Sequence, residues 1–309
     1  MKQGWAPDAF EYVIFPLHFL KDVHKKKEYG VTLRKILIYG TMNYFMNKEY
    51  DTNHIMKQVI YLYFQQGLSL NLSNEIENAI EKEKLYFNPE KRGGFNGTEF
   101  VPDEYSIETL QEWLKNNPSL MKEAVFAVKM NAAKDHFTNF DLQSMFEKWK
   151  QITTEISDFE KEFGKDVKTS VRVEIVRDFL KYPDPITFSA YCALRSIQGR
   201  NQYMRTAKQT ILMRMAGAKS KEVFATCTPH PTLGEVGKRY SFDQLLLKLQ
   251  RRKLITGRLI FEKSNQYFLS CTVTTQEVAE LHAKYVLEQQ IKKENLEALN
   301  LFHSLTNGN

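Results

Sequence analysis

Apolar residues recur at three- and four-residue spacing along most of this chain, the period of a helix that buries one stripe. Leu33, Ile36, Leu37 and Gly40 keep that spacing, and so do Ile55, Val59, Leu62 and Tyr63. Up to residue 88 the pattern predicts helices near 8–24, 31–47, 52–66 and 73–84, with a dense set of Phe and Tyr as core. Residues 89–105 interrupt it with Pro89, Gly93, Gly94, Gly97 and Pro102, the composition of a linker. Their GGFNG run is no phosphate loop, because no Lys-Ser/Thr pair follows it and no apolar strand leads in. Asn117-Pro118 reads as a helix start. Long amphipathic helices fit 118–136 and 141–163, the second with Leu142, Met145, Phe146, Trp149, Ile152 and Ile156 on one face. Val171, Val173, Ile175, Val176, Phe179 and Leu180 predict a further helix, ended by Pro183.

From Asp184 the pattern tightens into a module. A first helix after Asp184-Pro185 places Ile186, Ala190, Ala193, Leu194 and Ile197 on one face and stops at Gly199. A second is expected to open at Thr206, with Gln209 completing a capping box, and to end at Gly217. A third is expected to open at Ser241 with Gln244, burying Phe242, Leu245, Leu246 and Leu249. Strands at 257–261 and 267–272 flank a turn. A last helix, from about 275 to 303, follows the box of Thr274 and Glu277.

Three helices and a two-stranded hairpin form the layout of a winged helix. The stretch LLLKLQRRKLITGRLIF at 245–261 resembles the end of the recognition helix and the start of the wing in winged helix-turn-helix DNA-binding domains. The stretch ALRSIQGRNQYMRTAKQTILMRMAG at 193–217 is weakly similar to winged-helix segments of plasmid and mobile-element replication initiators. The resemblance covers about residues 184–274. The pattern departs from it at 218–240, 23 residues where the superfamily has a short turn. The expected fold is therefore mainly α, with a winged helix-turn-helix domain (three helices plus a two-stranded wing) joined to an N-terminal helical domain. Its parts are 1–88, a linker 89–105, a helical connecting region 106–183, the winged helix 184–274 and a C-terminal helix 275–309.

Charge gives this module a function to test. Residues 185–258 hold fourteen Lys or Arg and three acids, a net charge of +11. The whole chain is +6, so the remaining 29 cations and 34 acids sum to −5. A local field of that sign attracts polyanions. On the third helix Gln244, Lys248 and Arg251 lie opposite the core, with Arg252 at the edge, and such side chains read base edges in the major groove. Leu247 on that face would meet a thymine methyl or pack on 218–240. Arg195, Arg200, Arg205 and Lys208 are expected at phosphates, and Arg258 and Lys263 at the wing. The resemblance implies double-stranded DNA as partner, in replication initiation or regulation on a mobile element. The alternative is a non-enzymatic scaffold whose basic winged helix binds an acidic protein. Helix 275–303 is the expected contact of a homodimer.

Other chemistry finds little footing. Cys227-Thr-Pro-His230 has a spacing a metal could use, but no second ligand pair stands near, so no metal or other cofactor is expected. Asp135-His136 and Asp51 with His54 are the close acid–histidine pairs, at spacing typical of surface neighbours. No Walker loop or nucleophile–base set appears, so the chain reads as no enzyme and no small-molecule substrate is inferred. Three scattered cysteines and the absence of an apolar leader or 18-residue apolar run point to a reducing cytoplasm and no membrane.

Overall fold

The computed structural model describes residues 10–87, 104–134, 136–137, 142–226, 229–261 and 266–306. The fold is mainly helical, with two small antiparallel sheets among the described residues. Strand β1 (Tyr12–Pro16) runs through a 3-10 turn into α1 (Leu20–Val23), α2 (Tyr29–Asn47), α3 (Thr52–Phe64) and α4 (Leu70–Glu81). Next come α5 (Glu104–Lys115), α6 (Pro118–Lys134) and α7 (Leu142–Phe163), then β2 (Lys168–Arg172), α8 (Val173–Lys181) and α9 (Pro185–Gln198). β3 (Met204–Ala207), α10 (Lys208–Met215), α11 (Lys221–Thr226), α12 (Pro231–Val236) and α13 (Arg239–Arg251) lead to β4 (Thr256–Phe261), β5 (Gln266–Ser270) and α14 (Thr275–Thr306). Among the described residues no helix is long and apolar enough to cross a membrane. Most of the expected 89–105 linker lies outside the described residues.

The chain folds as two units, one of Ile38–Thr153 and one of Met1–Leu37 with Thr154–Asn309. The first is a helical cluster in which α3 packs on α5 and α6. Ile55, Val59, Leu72, Ile76, Leu110, Leu114 and Val128 share its core. Its helices begin where capping residues stand: the Asp51 carboxylate accepts the His54 amide at 2.8 Å and the Ser69 hydroxyl accepts the Leu72 amide at 3.2 Å. Helix α6 starts at Pro118, as Asn117-Pro118 predicts.

The other unit opens with a correction. The helix expected over 8–24 is a strand for its first part. Tyr12, Val13, Ile14 and Phe15 are aromatic or β-branched, and they alternate, with Val13 and Phe15 fully buried and Tyr12 and Ile14 exposed. β1 pairs antiparallel with β2, Phe15 opposite Thr169 and Tyr12 opposite Arg172. The partner is distant in sequence, so local periodicity could not signal it. The same pairing takes Val171 from the expected helix, which begins at Val173.

Helix α9 is the centre of this unit and packs on β2, α10, α13 and β3. Residues from Thr187 through Leu194 are all buried, the property of a helix surrounded on every side. Asp184 caps it, its side chain accepting the Thr187 amide, and Gly199 ends it at φ +57°. Gln198 is fully buried and its amide is spent on neighbours. Its nitrogen donates to the Asn201 carbonyl and the Thr272 hydroxyl, both at 2.8 Å, and its oxygen accepts the Cys271 amide at 2.7 Å. That side chain joins the end of α9 to the end of β5.

Three further expectations change. Thr206 does not cap a helix: it is buried within β3, and α10 begins at Lys208 with no side-chain cap. The expected hairpin of β4 and β5 forms but is part of a three-stranded sheet, because β3 pairs with the other edge of β5 and the order is β3-β5-β4. Tyr267, Phe268 and Leu269 of β5 are buried, as befits a central strand, and Met204 and Thr206 turn inward beside them. Helix α13 opens at Arg239, two residues before the expected Ser241 box, after Lys238 in extended conformation. The 218–240 insertion supplies α11 and α12. The box before α14 does form: Glu277 accepts the Thr274 amide at 2.7 Å, and the Glu277 amide reaches the Thr274 hydroxyl at 3.3 Å.

Two turns meet at Gly217. Its φ is +80°, and a Cβ there would lie 3.0 Å from the Lys21 amide nitrogen and 3.1 Å from the His18 carbonyl oxygen. Glycine is required on both counts, since it relieves the left-handed strain and admits backbone to backbone contact.

Candidate nucleic-acid interface

Helix α13 presents its basic end to the start of α9. Phe242, Leu245, Leu246 and Leu249 form its buried face, while Gln244, Lys248 and Arg251 are exposed and Leu247 is half-buried. Lys248 Nζ lies 2.7 Å from Asp184 Oδ2. Arg252, just past the helix, lays its guanidinium 4.6 Å from the centre of the Phe179 ring and comes within 3.8 Å of the same Asp184 oxygen and 4.0 Å of Asp178. Burial pushes the Asp184 carboxyl up, but hydrogen bonds from Lys248 and Thr187, with the Lys248 charge, outweigh it and hold the group below its usual value. The Asp184 amide also reaches the Tyr29 hydroxyl at 3.4 Å, and that hydroxyl donates to the Phe179 carbonyl at 3.1 Å. Burial raises the Tyr29 hydroxyl to about 12, so it remains a donor at neutral pH. The α13 cations thus rest on a fixed acid while Lys248 keeps 56% of its side chain in solvent.

A second group of cations lies at the turn between α9 and β3. Arg200 and Arg205 line a surface hollow of about 670 Å³ with Asn201, Gln202 and Tyr203. Arg200 is exposed at the end of α9. Arg205, on β3, donates to the Gln266 side chain and to the Tyr285 hydroxyl, and its guanidinium faces the Tyr285 ring at 5.5 Å. Among the described residues β3 is an edge strand, and its Met204 and Arg205 line this hollow.

Two predicted residues serve the interior of the fold. Arg195 Nε donates to the Ser170 carbonyl at 3.0 Å, fastening α9 to β2. Lys208 donates to the Gly237 carbonyl at 2.8 Å, fastening α10 to the turn before α13. Arg258 belongs to β4, but its side chain lies outside the described part, and Lys263 lies outside the described residues altogether. Cys227 and Asp135 fall outside them as well. The structure therefore brings Lys248 and Arg252 together on Asp184, and Arg200 with Arg205 at the hollow, and gives Arg195 and Lys208 other neighbours.

No known protein family, curated protein or solved structure matches the chain.

The geometry adds residues that sequence reasoning passed over. Asp178 and Asp184 set the charge available at α13, and Asn201, Gln202 and Tyr203 complete the hollow. Asp184 carried a signal, since an Asp before Pro at a helix start is fixed in place, but its pairing with α13 depends on the fold. Tyr285, which holds Arg205, carried no signal of that contact.

Proposed function

We propose that the part of the chain from α9 to β5 is a winged helix that binds double-stranded DNA, in replication initiation or regulation on a mobile element. The observation that carries this reading is the arrangement of α9, α10 and α13 around the β3-β5-β4 sheet, together with the +11 charge of residues 185–258. A helix presented beside a hairpin suits the major groove with a flanking backbone. Exposed Gln244, Lys248 and Arg251 lie along the outer face of α13, and Arg200 marks a second basic point. α14 supplies the contact of a dimer on paired half-sites: residues 286–300 are all exposed, Leu287 and Leu296 among them.

The test is fluorescence anisotropy of a labelled random duplex of about 30 base pairs, with contact to six to ten phosphates lowering affinity about 10³- to 10⁵-fold between 50 and 200 mM salt. A Lys248→Ala, Arg251→Ala, Arg252→Ala variant is expected to lose most of that binding. Absence of binding at low salt defeats the proposal, and undiminished binding by the variant moves the contact away from α13.

A further inference from the structure

Apart from the basic module, the turn after β1 holds a buried imidazole–carboxylate pair. His18 is 6% exposed and Asp166 7%. His18 Nδ1 lies 2.9 Å from Asp166 Oδ2, and the same oxygen accepts the His18 amide at 3.0 Å. The other oxygen accepts the Val167 amide at 2.8 Å. A carboxylate held by two backbone donors is fixed, and it fixes the ring in turn: Nδ1 faces Asp166, and Nε2 is left for other partners. The ring stacks on Phe159 at 4.0 Å and meets the edge of Phe19 at 4.9 Å. An anchoring role, tying the β1 turn to the loop before β2, accounts for the Nδ1 side of the ring. It does not account for Nε2, which has no partner among the described residues, is not sealed from solvent, and belongs to a residue on the wall of a cavity of about 350 Å³.

The charges around this cavity decide what it suits. Its wall carries Lys21, Lys35 and Thr32 along with three acids. Each acid already holds a lysine: Asp22 with Lys25 at 2.6 Å, Glu155 with Lys35, and Asp158 with Lys161 at 2.9 Å. Lys21 has no acid among the described residues, and its ammonium stands 5.9 Å from the centre of the Phe159 ring. The Asp166 charge is met by the two backbone amides and by half-buried Arg214, to which it is electrostatically coupled. What remains on the wall is one unmatched ammonium and one open imidazole nitrogen, between two aromatic rings.

We propose that this cavity binds a small phosphomonoester, its phosphoryl oxygens held by His18 Nε2 and Lys21 Nζ. The volume lies in the range of small-molecule sites, about 300–1,000 Å³. A phosphomonoester loses its second proton near pH 6, so it meets Nε2 either as a monoanion with one O–H to donate or as a dianion. Lys21 supplies charge in both. Phe19 and Phe159 offer an apolar wall to the rest of the ligand.

Such a group comes from a free metabolite or from the 5′-phosphate of a nucleic-acid strand, and the experiment separates the two. Isothermal titration calorimetry in phosphate-free buffer is run with inorganic phosphate, with AMP, and with a short single strand with and without its 5′-phosphate. The full chain is compared with Lys21→Ala and His18→Asn. Lys21 is exposed, so its removal leaves the fold intact, which thermal melting checks. The asparagine of His18→Asn retains an amide donor toward Asp166 but has nothing in the place of Nε2. The expected result is binding of at least one phosphorylated probe, weakened roughly tenfold or more in each variant, as loss of a charge-assisted hydrogen bond implies. AMP binding marks a free metabolite, and a preference for the 5′-phosphorylated strand marks a strand end. Failure of all probes at millimolar concentration overturns the proposal, as does unchanged affinity in either variant. Should His18→Asn fail to fold, the Lys21→Ala arm decides alone.

Discussion

Replacing Asp184 by Asn separates the structural and binding roles of the α13 cations. Asn caps a helix as well as Asp does, so the start of α9 is kept. The change removes one carboxylate that faces both Lys248 and Arg252. Lys248 is 56% exposed and Asp184 18%, and solvent-screened pairs of this kind are worth about 0.2–1 kcal/mol, so stability should fall by about 1 kcal/mol or less. The effect on binding has the opposite sign. Each freed cation that takes up a phosphate steepens the plot of log affinity against log salt by about 0.9, so one or two add about 3.5- to 12-fold to the affinity gained between 200 and 50 mM salt. The assay is anisotropy of the labelled duplex across that range, with a denaturation curve as control. The pH dependence follows from the depressed Asp184 carboxyl. The contribution of the pair to stability is complete above the unfolded value of about 3.9 and disappears as pH falls through the lower folded value, so wild type should come to resemble the variant only below about pH 4. If Asp184→Asn binds duplex with the wild-type affinity and slope, the end of α13 does not meet DNA and the reasoning fails. Weaker binding by the variant refutes it too.

Gly217→Ala should lower stability by about 2–3 kcal/mol, because left-handed backbone costs a side chain about 1–2 kcal/mol and the new Cβ presses on the main chain of His18 and Lys21; an unchanged urea midpoint would count against the close approach. Burial pulls the His24 imidazole below its usual value, and the His230 charge adds to this against the Met215 carbonyl. The folded state therefore binds fewer protons than the unfolded one, and stability should decline as pH drops below about 6.5; thermal melts at acid and neutral pH should show a smaller decline for His24→Gln. Light scattering should report a dimer for wild type, and Ile291→Glu, which puts a charge on an apolar position of α14 that is 48% exposed, should shift it to monomer. A monomeric wild type would remove α14 as the contact.

What could be read from the sequence was whatever a few neighbouring residues decide. Asp184-Pro185 to Gly199 delimits α9, and Thr274 with Glu277 starts α14, because caps act within one turn. Thr206 and Gln209 met the same rule and form no box, since Thr206 is claimed by β3 and the pairing of β3 with β5 lies beyond any local window. Tyr12 to Phe15 satisfied helical spacing loosely and strand alternation fully, and only β2 resolves the choice. At the candidate interface the excess of Lys and Arg was visible from composition. Which of them stay available was not, because Asp184 meets Lys248, Tyr285 meets Arg205 and the Gly237 carbonyl meets Lys208 only after folding.

Helix α14 is anchored at one end. Val278 is buried, His282 and Tyr285 meet the Phe268 ring, and Tyr285 holds Arg205, all within its first three turns. From Tyr285 to Thr306 the axis runs on for about 31 Å at about 1.5 Å per residue, and every residue from Val286 to Asn300 is exposed. The helix is thus a lever with its fulcrum on β5. A tilt of about 10° at the Tyr285 contact would carry the far end about 5 Å, on the scale of one helical turn. Among the described residues, the rod beyond the fulcrum has its own backbone hydrogen bonds and side-chain pairs such as Lys293 with Glu297 to keep it straight, and these are marginal for a helix alone in water. Amide exchange in the monomeric chain should accordingly slow sharply across the first three turns and run fast from there outward.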